Sequence, residues 1–278
     1  MTSRILVLVS LCLTMGCRQQ TRVAQVPQIH GPWWTIARNP DLGPLNGPPK
    51  EKPKARQEPV DFSVWQAADG TWQLWSCIRD TNCGGKTRLL YGWEGSKLTD
   101  ADWKPTGIKL QADPKYGETP GGLQAPHVFT VGGTYYMFYG DWANICIARS
   151  TDGKTFERWL MPDGRTGMFS EGEKAGTRDP MVTVHHKAHA TNGHASADSP
   201  TWYCYYTALV DNKGADFCRT STDMRTWSEP KLVARGGLTG DGPWSAECPH
   251  VVYRDGYWYL FRTQRYSGPP TTAGYRSP

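Results

Sequence analysis

Apolar and polar residues alternate along most of this chain in short runs, and the runs come in pairs joined by turn residues. The stretch 61–79, DFSVWQAADGTWQLWSCIR, is the first pair, two period-two segments around Asp69-Gly70. A second, 124–159, opens with QAPHVFTVGGTYYMFYG, turns at Gly132-Gly133, and continues through a third segment at 145–149 into the turn STDGKTF. A third opens with RDPMVTV (178–184), resumes with TWYCYYTALV (201–210) and closes with DFCRTSTDMRTW (216–227). The fourth, AECPHVVYRDGYWYLFRTQRY (246–266), turns at Arg254-Asp255-Gly256. Alternation broken by glycine-bearing turns predicts antiparallel hairpins. No stretch of a dozen residues carries a helical period with caps.

Aligned on Phe62, Pro126, Pro180 and Pro249, the units start 64, 54 and 69 residues apart. Repeats of that length, each holding three to four antiparallel strands, predict an all-β fold whose units are β-propeller blades. A solenoid is disfavoured, because its repeats are shorter and not antiparallel within themselves. The fourth unit reaches Pro278 where the others enter an outer strand, so the expectation is a five-bladed β-propeller, C-terminally truncated to about four blades. The third unit carries HHKAHATNGHASADSP (185–200), with His185, His186, His189 and His194, in place of a tight turn. Without carboxylates at metal-site spacing, this reads as an exposed loop rather than a metal site.

Composition refines this picture at the ends of the chain. Thirty glycines, 21 prolines and 12% aromatic residues suit many short strands. Arg4 followed by an apolar run from Ile5 to Met15 is too short to span a bilayer and reads as a signal peptide over 1–16. Gly16-Cys17 resembles a bacterial lipoprotein cleavage site, with Thr14 where leucine is preferred. The chain is therefore expected to be exported, as a periplasmic or secreted protein or as a cell-surface lipoprotein tethered through Cys17. Residues 17–60 form an N-terminal arm and a Pro/Lys-rich linker, in which Trp33-Trp34 are expected to pack against the domain. Residues 61–278 are the incomplete propeller domain. The net charge of +5 comes partly from the basic run 50–56, whose prolines fit a solvated linker and not a nucleic-acid surface. Beyond the leader, Cys77, Cys83, Cys146, Cys204, Cys218 and Cys248 permit fifteen pairings. A local Cys77–Cys83 bridge and free buried thiols are both open readings. No CxxC pair points to structural zinc.

The candidate chemistry lies at the starts of the innermost strands, where Asp61, Asp179 and Glu247 stand, with Arg178 beside Asp179. In a propeller those strands line one channel, so acids distant in sequence converge. Glycoside hydrolysis needs such a pair, one carboxyl protonated for the leaving oxygen and one ionised. The alternative for any single acid is a turn cap. Aligning the prolines places Ser63, His127, Met181 and His250 in one column, and period two directs His127 and His250 to the channel. Asp141, Trp142, Arg262 and Gln264 are candidate sugar contacts by position and residue type, as is Arg178.

The motifs DFSV, TRDPMV and AECPHV, with QAPHV between them, resemble the five-bladed propeller glycosidases of glycoside hydrolase families 43 and 32, over roughly residues 61–266. The Arg-Asp-Pro and Glu-Cys-Pro triplets look like the family 32 forms. The first motif departs from both families, with Phe62 in place of proline and Val60 in place of asparagine. The resemblance implies a base or nucleophile at Asp61, a transition-state or pKa-tuning carboxylate at Asp179, and a proton donor at Glu247. It implies an exported glycosidase acting on a polysaccharide or oligosaccharide of the arabinose/xylose or fructose class, without a cofactor, and monomeric if the propeller is complete. It also implies a channel calcium or water site near such histidines, beside which a simply hydrogen-bonded histidine is the alternative. Two other functions remain open: a non-catalytic carbohydrate-binding propeller or inactive fragment, and a phosphorylase, which would need a basic pocket near the acids.

Overall fold

A computed structural model of the chain describes residues 30–50, 53–185, 200–236, 241–254, 256–264 and 271–277. The leader with Cys17, and His186, His189 and His194 of the histidine-rich insertion, lie outside them. The compact unit Pro32–Pro278 holds four antiparallel sheets. The first runs β1 (Glu58–Gln66), β2 (Trp72–Arg79), β3 (Leu89–Gly95) and β4 (Lys104–Leu110). The second runs β5 (Gln124–Val131), β6 (Thr134–Gly140), β7 (Ile145–Ser150) and β8 (Glu157–Arg158), with β9 (Gly167–Phe169) also paired to β7. The third runs β10 (Arg178–His185), β11 (Thr201–Val210), β12 (Lys213–Ser221) and β13 (Lys231–Arg235). The fourth runs β14 (Glu247–Arg254), β15 (Tyr257–Gln264) and β16 (Thr271–Ser277). Each sheet is wound in chain order from an innermost strand, and β1, β5, β10 and β14 pack side by side in that order. This is a four-bladed arrangement of a β-propeller.

Two of the cores lie between blades, so β2 and the end of β6 are buried on both faces. Trp65, Trp75, Cys77 and Leu90 of the first blade meet Val128, Met137, Tyr139 and Cys146 of the second. Phe138, Ile145 and Ile147 of the second meet Trp202, Cys204 and Tyr206 of the third. One recurring turn fastens neighbours together. In STDGKTF, Asp152 accepts from the Lys154 and Thr155 backbone N–H groups, and Ser150 from that of Gly153. The turn so fixed reaches back to the previous blade: the Trp65 Nε1–H donates to the Gly153 carbonyl at 2.7 Å, and Phe156 packs edge-on against Trp65 and Trp75 at 5.8 and 5.2 Å. In STDMRTW the same bonds recur at Ser221 and Asp223, and Trp227 packs on Phe138 and Phe169.

Several expectations need correction. The first blade has two further strands, β3 and β4, which alternation alone did not single out because Gly92 and Gly107 interrupt them. The fourth unit does enter a third strand, β16, although its polar, glycine-containing TTAGYRS lacks an apolar alternation. Trp33 and Trp34 do not pack on the domain, being 82% and 51% exposed. Ile36, Leu42 and Leu45 of the arm cover the outer face of the first blade instead, against Leu74, Ile78, Trp93 and Trp103. The six cysteines among the described residues are free thiols, Cys77 fully buried among core residues and Cys83 half-buried.

Trp75 is 2% exposed and touches both Trp65 and Phe156. Trp75→Ala should cost about 3–5 kcal/mol, read as a lower urea midpoint with an unchanged slope.

Candidate functional site

Each innermost strand begins with the same backbone defect. The hairpin register slips between Val60 and Phe62, Gln124 and His127, Arg178 and Met181, and Glu247 and His250. At each slip one non-glycine residue takes a left-handed conformation: Asp61 (φ 43°), Ala125 (46°), Asp179 (56°) and Cys248 (53°). Such residues are strained by about 1–3 kcal/mol each, and a bulge of this kind re-aims the side chain that carries it. Prolines 126, 180 and 249 follow where the ladder is already interrupted, so no strand N–H is missed. The fourfold defect puts Asp61, Ala125, Asp179 and Cys248 around one axial cavity, with Phe62, His127, Met181 and His250 also in its wall. The proline register thus places Cys248, not Glu247, in the column of the two aspartates. Glu247 stands one step earlier, equivalent to Arg178, Gln124 and Val60.

That offset brings the charges together. Arg178, 1% exposed, donates to the Glu247 Oε1 at 2.8 Å, lies 3.4 Å from the Asp179 Oδ2, and donates to the Gly176 carbonyl at 2.8 Å. The Cys248 backbone N–H donates to the Asp179 Oδ2 (3.3 Å) and to the Thr207 hydroxyl (3.2 Å). The Cys248 thiol donates to the Asp61 Oδ1 at 3.4 Å, and Arg88 approaches the other Asp61 oxygen at 3.9 Å. Asp61, Asp179 and Glu247 therefore share a cleft of about 640 Å³, with Arg88, Gln124, Trp142, Arg178 and Trp244 in its walls.

Burial pushes the Asp61 carboxyl up to about 6, and the nearby Asp179 charge adds to the rise while Arg88 opposes it. Burial also raises Glu247, again with help from Asp179 and against the pull of Arg178. Two carboxyls that hold protons more firmly than usual, facing buried Arg178 and half-buried Arg88, form the kind of environment that acid–base chemistry uses. The Cys248 thiol is raised well above its ordinary value by burial and by the same carboxylates, so it stands as a neutral S–H donor.

The remaining sequence candidates divide. Trp142, itself in a left-handed conformation (φ 73°), lines the cleft and stacks with Arg178 at 5.2 Å and Arg88 at 4.9 Å. His127 and His250 reach the axial cavity, their rings 6.4 Å apart. The His127 Nε2–H donates to the Val182 carbonyl, and burial lowers the ring's pKa to about 4. The described residues contain no cluster of three or more His, Cys, Asp and Glu side chains able to hold a metal. Two neutral imidazoles do not fit a calcium ion, which takes oxygen ligands. Asp141, Arg262 and Gln264 do not face the cleft. Asp141 is fully buried and accepts from the Thr119, Ala143 and Asn144 backbone N–H groups, which fixes a turn. Arg262 is ion-paired to buried Asp216 at 3.1 Å, and Gln264 meets the Tyr275 hydroxyl at 2.5 Å. Period two explains both: Thr263, opposite Glu247, lines the cleft, and its two neighbours on β15 face the other way. Sequence reasoning missed Cys248, Arg88 and Trp244. Only Cys248 left a signal, its place before the aligned proline.

No family model and no curated protein sequence matches the chain. Solved structures do. A thermostable family-43 glycoside hydrolase superposes with a TM-score of 0.58 at 16% identity, over 84% of this chain and 71% of that one. An endo-arabinase from Bacteroides thetaiotaomicron gives 0.56 at 14%, over 83% and 78%. The catalytic domain of a Coprinopsis cinerea glycoside hydrolase family 62 α-L-arabinofuranosidase gives 0.53 at 19%, over 88% and 70%. At these identities the likeness is one of fold, the propeller that these glycosidases share.

A raised Asp61 pKa has a consequence for stability. The folded chain holds that proton more tightly than the unfolded chain, so the stability linked to it is full below the ordinary 3.8 and is lost as pH rises through about 6. Asp61→Asn should therefore leave stability near its parent value at pH 4 and raise it at pH 7 by about 3 kcal/mol, seen as a higher thermal midpoint. Thermal unfolding at the two pH values checks this.

Proposed function

We propose that this chain is a glycoside hydrolase that cleaves O-glycosidic bonds in a polysaccharide or oligosaccharide by carboxylate acid–base chemistry, with an arabinose/xylose or fructose substrate. The observation that carries the reading is the meeting of Asp61, Asp179 and Glu247, from three different blades, in one cleft around buried Arg178. Its fold likeness to glycosidases of families 43 and 62 supports the same reading.

In this mechanism Glu247 gives its proton to the leaving glycosidic oxygen. Its raised pKa suits that role, since an acid must still hold its proton near working pH. Asp61 acts on the opposite side as the base that activates water or as the nucleophile, ionised above about pH 6. Asp179 does not need to exchange a proton. It anchors Arg178, accepts from the Cys248 N–H, and places a negative charge beside both working carboxyls. Trp244, 46% exposed, offers a ring face on which a sugar can stack. A purely sugar-binding propeller is the competing reading, and turnover separates the two.

Glu247→Gln should lower kcat by about 10²–10⁴-fold while leaving oligosaccharide binding largely intact, and Asp61→Asn should do the same. Steady-state hydrolysis of an arabinoside, xyloside and fructan panel checks both, and parent-like rates in Glu247→Gln would sink the acid assignment. The N-terminal stretch further supports export with lipid attachment at Cys17. Metabolic labelling with a palmitate analogue should mark the parent and spare Cys17→Ala.

A further inference from the structure

The catalytic cleft continues into a second, larger hollow that the chemistry above does not use. This outer arm, about 820 Å³, is lined by Lys50, Arg79, Lys86 and Arg88, with Asp80 the single acid among the described residues that line it. It shares Arg79, Arg88 and Trp142 with the cleft that holds the acids, so the two form one path. Three cations gather on the Trp142 ring: Arg88 at 4.9 Å, Arg178 at 5.2 Å and Lys86 at 5.8 Å. Arg178 has carboxylate partners, Arg79 pairs with Glu58, and Arg88 is shared between Asp61 and Gln124. Lys50 and Lys86 are ion-paired to nothing among the described residues. Like charges crowded in a concave wall repel one another, and an anionic group on a ligand would relieve the repulsion.

The part of the wall that carries Lys86 and Arg88 is fixed. The Lys86 N–H donates to the Pro120 carbonyl at 2.9 Å and the Arg88 N–H to the Gly121 carbonyl at 2.8 Å. Gly85 and Gly121 allow this approach, because a Cβ on either would lie 2.0–2.1 Å from a backbone oxygen across the contact. Arg88 is thereby held between the base candidate and the outer arm.

We propose that the outer arm binds an acidic sugar residue, so that the substrate of this glycosidase is a glycan bearing uronate carboxylates or sulfate esters close to the scissile bond. The inference rests on the hydrolase reading above for cleavage, though not for binding. Arg88 and Lys86, held together against the Trp142 ring, receive the oxyanion.

The test is titration calorimetry on the full chain with matched pairs: a uronate-bearing oligosaccharide against its carboxyl-reduced counterpart, and a sulfated oligosaccharide against its desulfated counterpart. Hydrolysis of all four is followed in parallel. At least one acidic member should bind about tenfold more tightly than its neutral partner, with the margin shrinking as salt rises. The double variant Lys50→Gln, Lys86→Gln should lose the margin, and Lys50→Arg, Lys86→Arg should restore it. Tight acidic binding without cleavage would uphold this inference and sink the hydrolase reading. Equal binding of acidic and neutral members, with the neutral ones cleaved, would overturn it and leave the hydrolase reading standing. Turnover that requires inorganic phosphate and shows no preference for acidic glycans would also overturn it, because the oxyanion held there would then be free phosphate.

Discussion

A guanidinium with almost no contact with water governs this cleft. Removing a cation from solvent costs several kcal/mol unless opposite charge and hydrogen bonds replace the water. Arg178 finds both in Glu247, Asp179 and the Gly176 carbonyl, between the Trp142 and Trp244 rings. The chain makes room for it: a Cβ on Gly140 would lie 2.8 Å from the Arg178 Cα. The same contacts join blades, since Arg178 and Asp179 belong to β10, Glu247 and Cys248 to β14, and the Cys248 thiol reaches Asp61 on β1. Charge balance then sets the chemistry. Three carboxylates face two arginines, Arg178 and Arg88, so the buried group carries one negative charge too many. Holding a proton relieves that excess, and both Asp61 and Glu247 are pushed toward holding it. Their titration belongs to the group and not to either residue alone.

Much of this was legible in the sequence where the chain repeats itself. Alternation with glycine turns identifies the two inner strands of each blade, and the four motifs at Phe62, Pro126, Pro180 and Pro249 mark the bulge at or near the start of each innermost strand. The acids stood out because they recur at those marks. The one-residue offset between the aspartates and Glu247 is already visible against the aligned prolines, and what alternation hid was the bulge that makes it matter, because alternation assumes a regular ladder. The strands β3, β4 and β16 escaped notice because glycine and polar residues dilute their period. Asp141, Arg262 and Gln264 were chosen by nearness to strand ends, and burial in other bonds claims them. Arg88 and Trp244 come from loops with no period at all, so only the folded chain brings them to the acids.

The cleft thus has two kinds of wall. Its acids sit on bulged strands whose backbone is over-determined by ladder bonds on one side and blade packing on the other. A carboxyl held in that way keeps its distance to its neighbours, which is what proton transfer demands. Of its outer cations, Lys86 and Arg88 sit on a glycine-locked loop beside the acids, and Arg88 alone of the two pairs with one of them. That residue leans on Asp61 and Trp142 at once. An anion bound in the outer arm would draw the Arg88 charge away from Asp61, and the carboxyl would lose the nearest charge that favours its ionised form. In the proposed reaction, substrate charge and the protonation of Asp61 are therefore linked through one side chain, and a ligand anion that draws Arg88 away favours the protonated carboxyl.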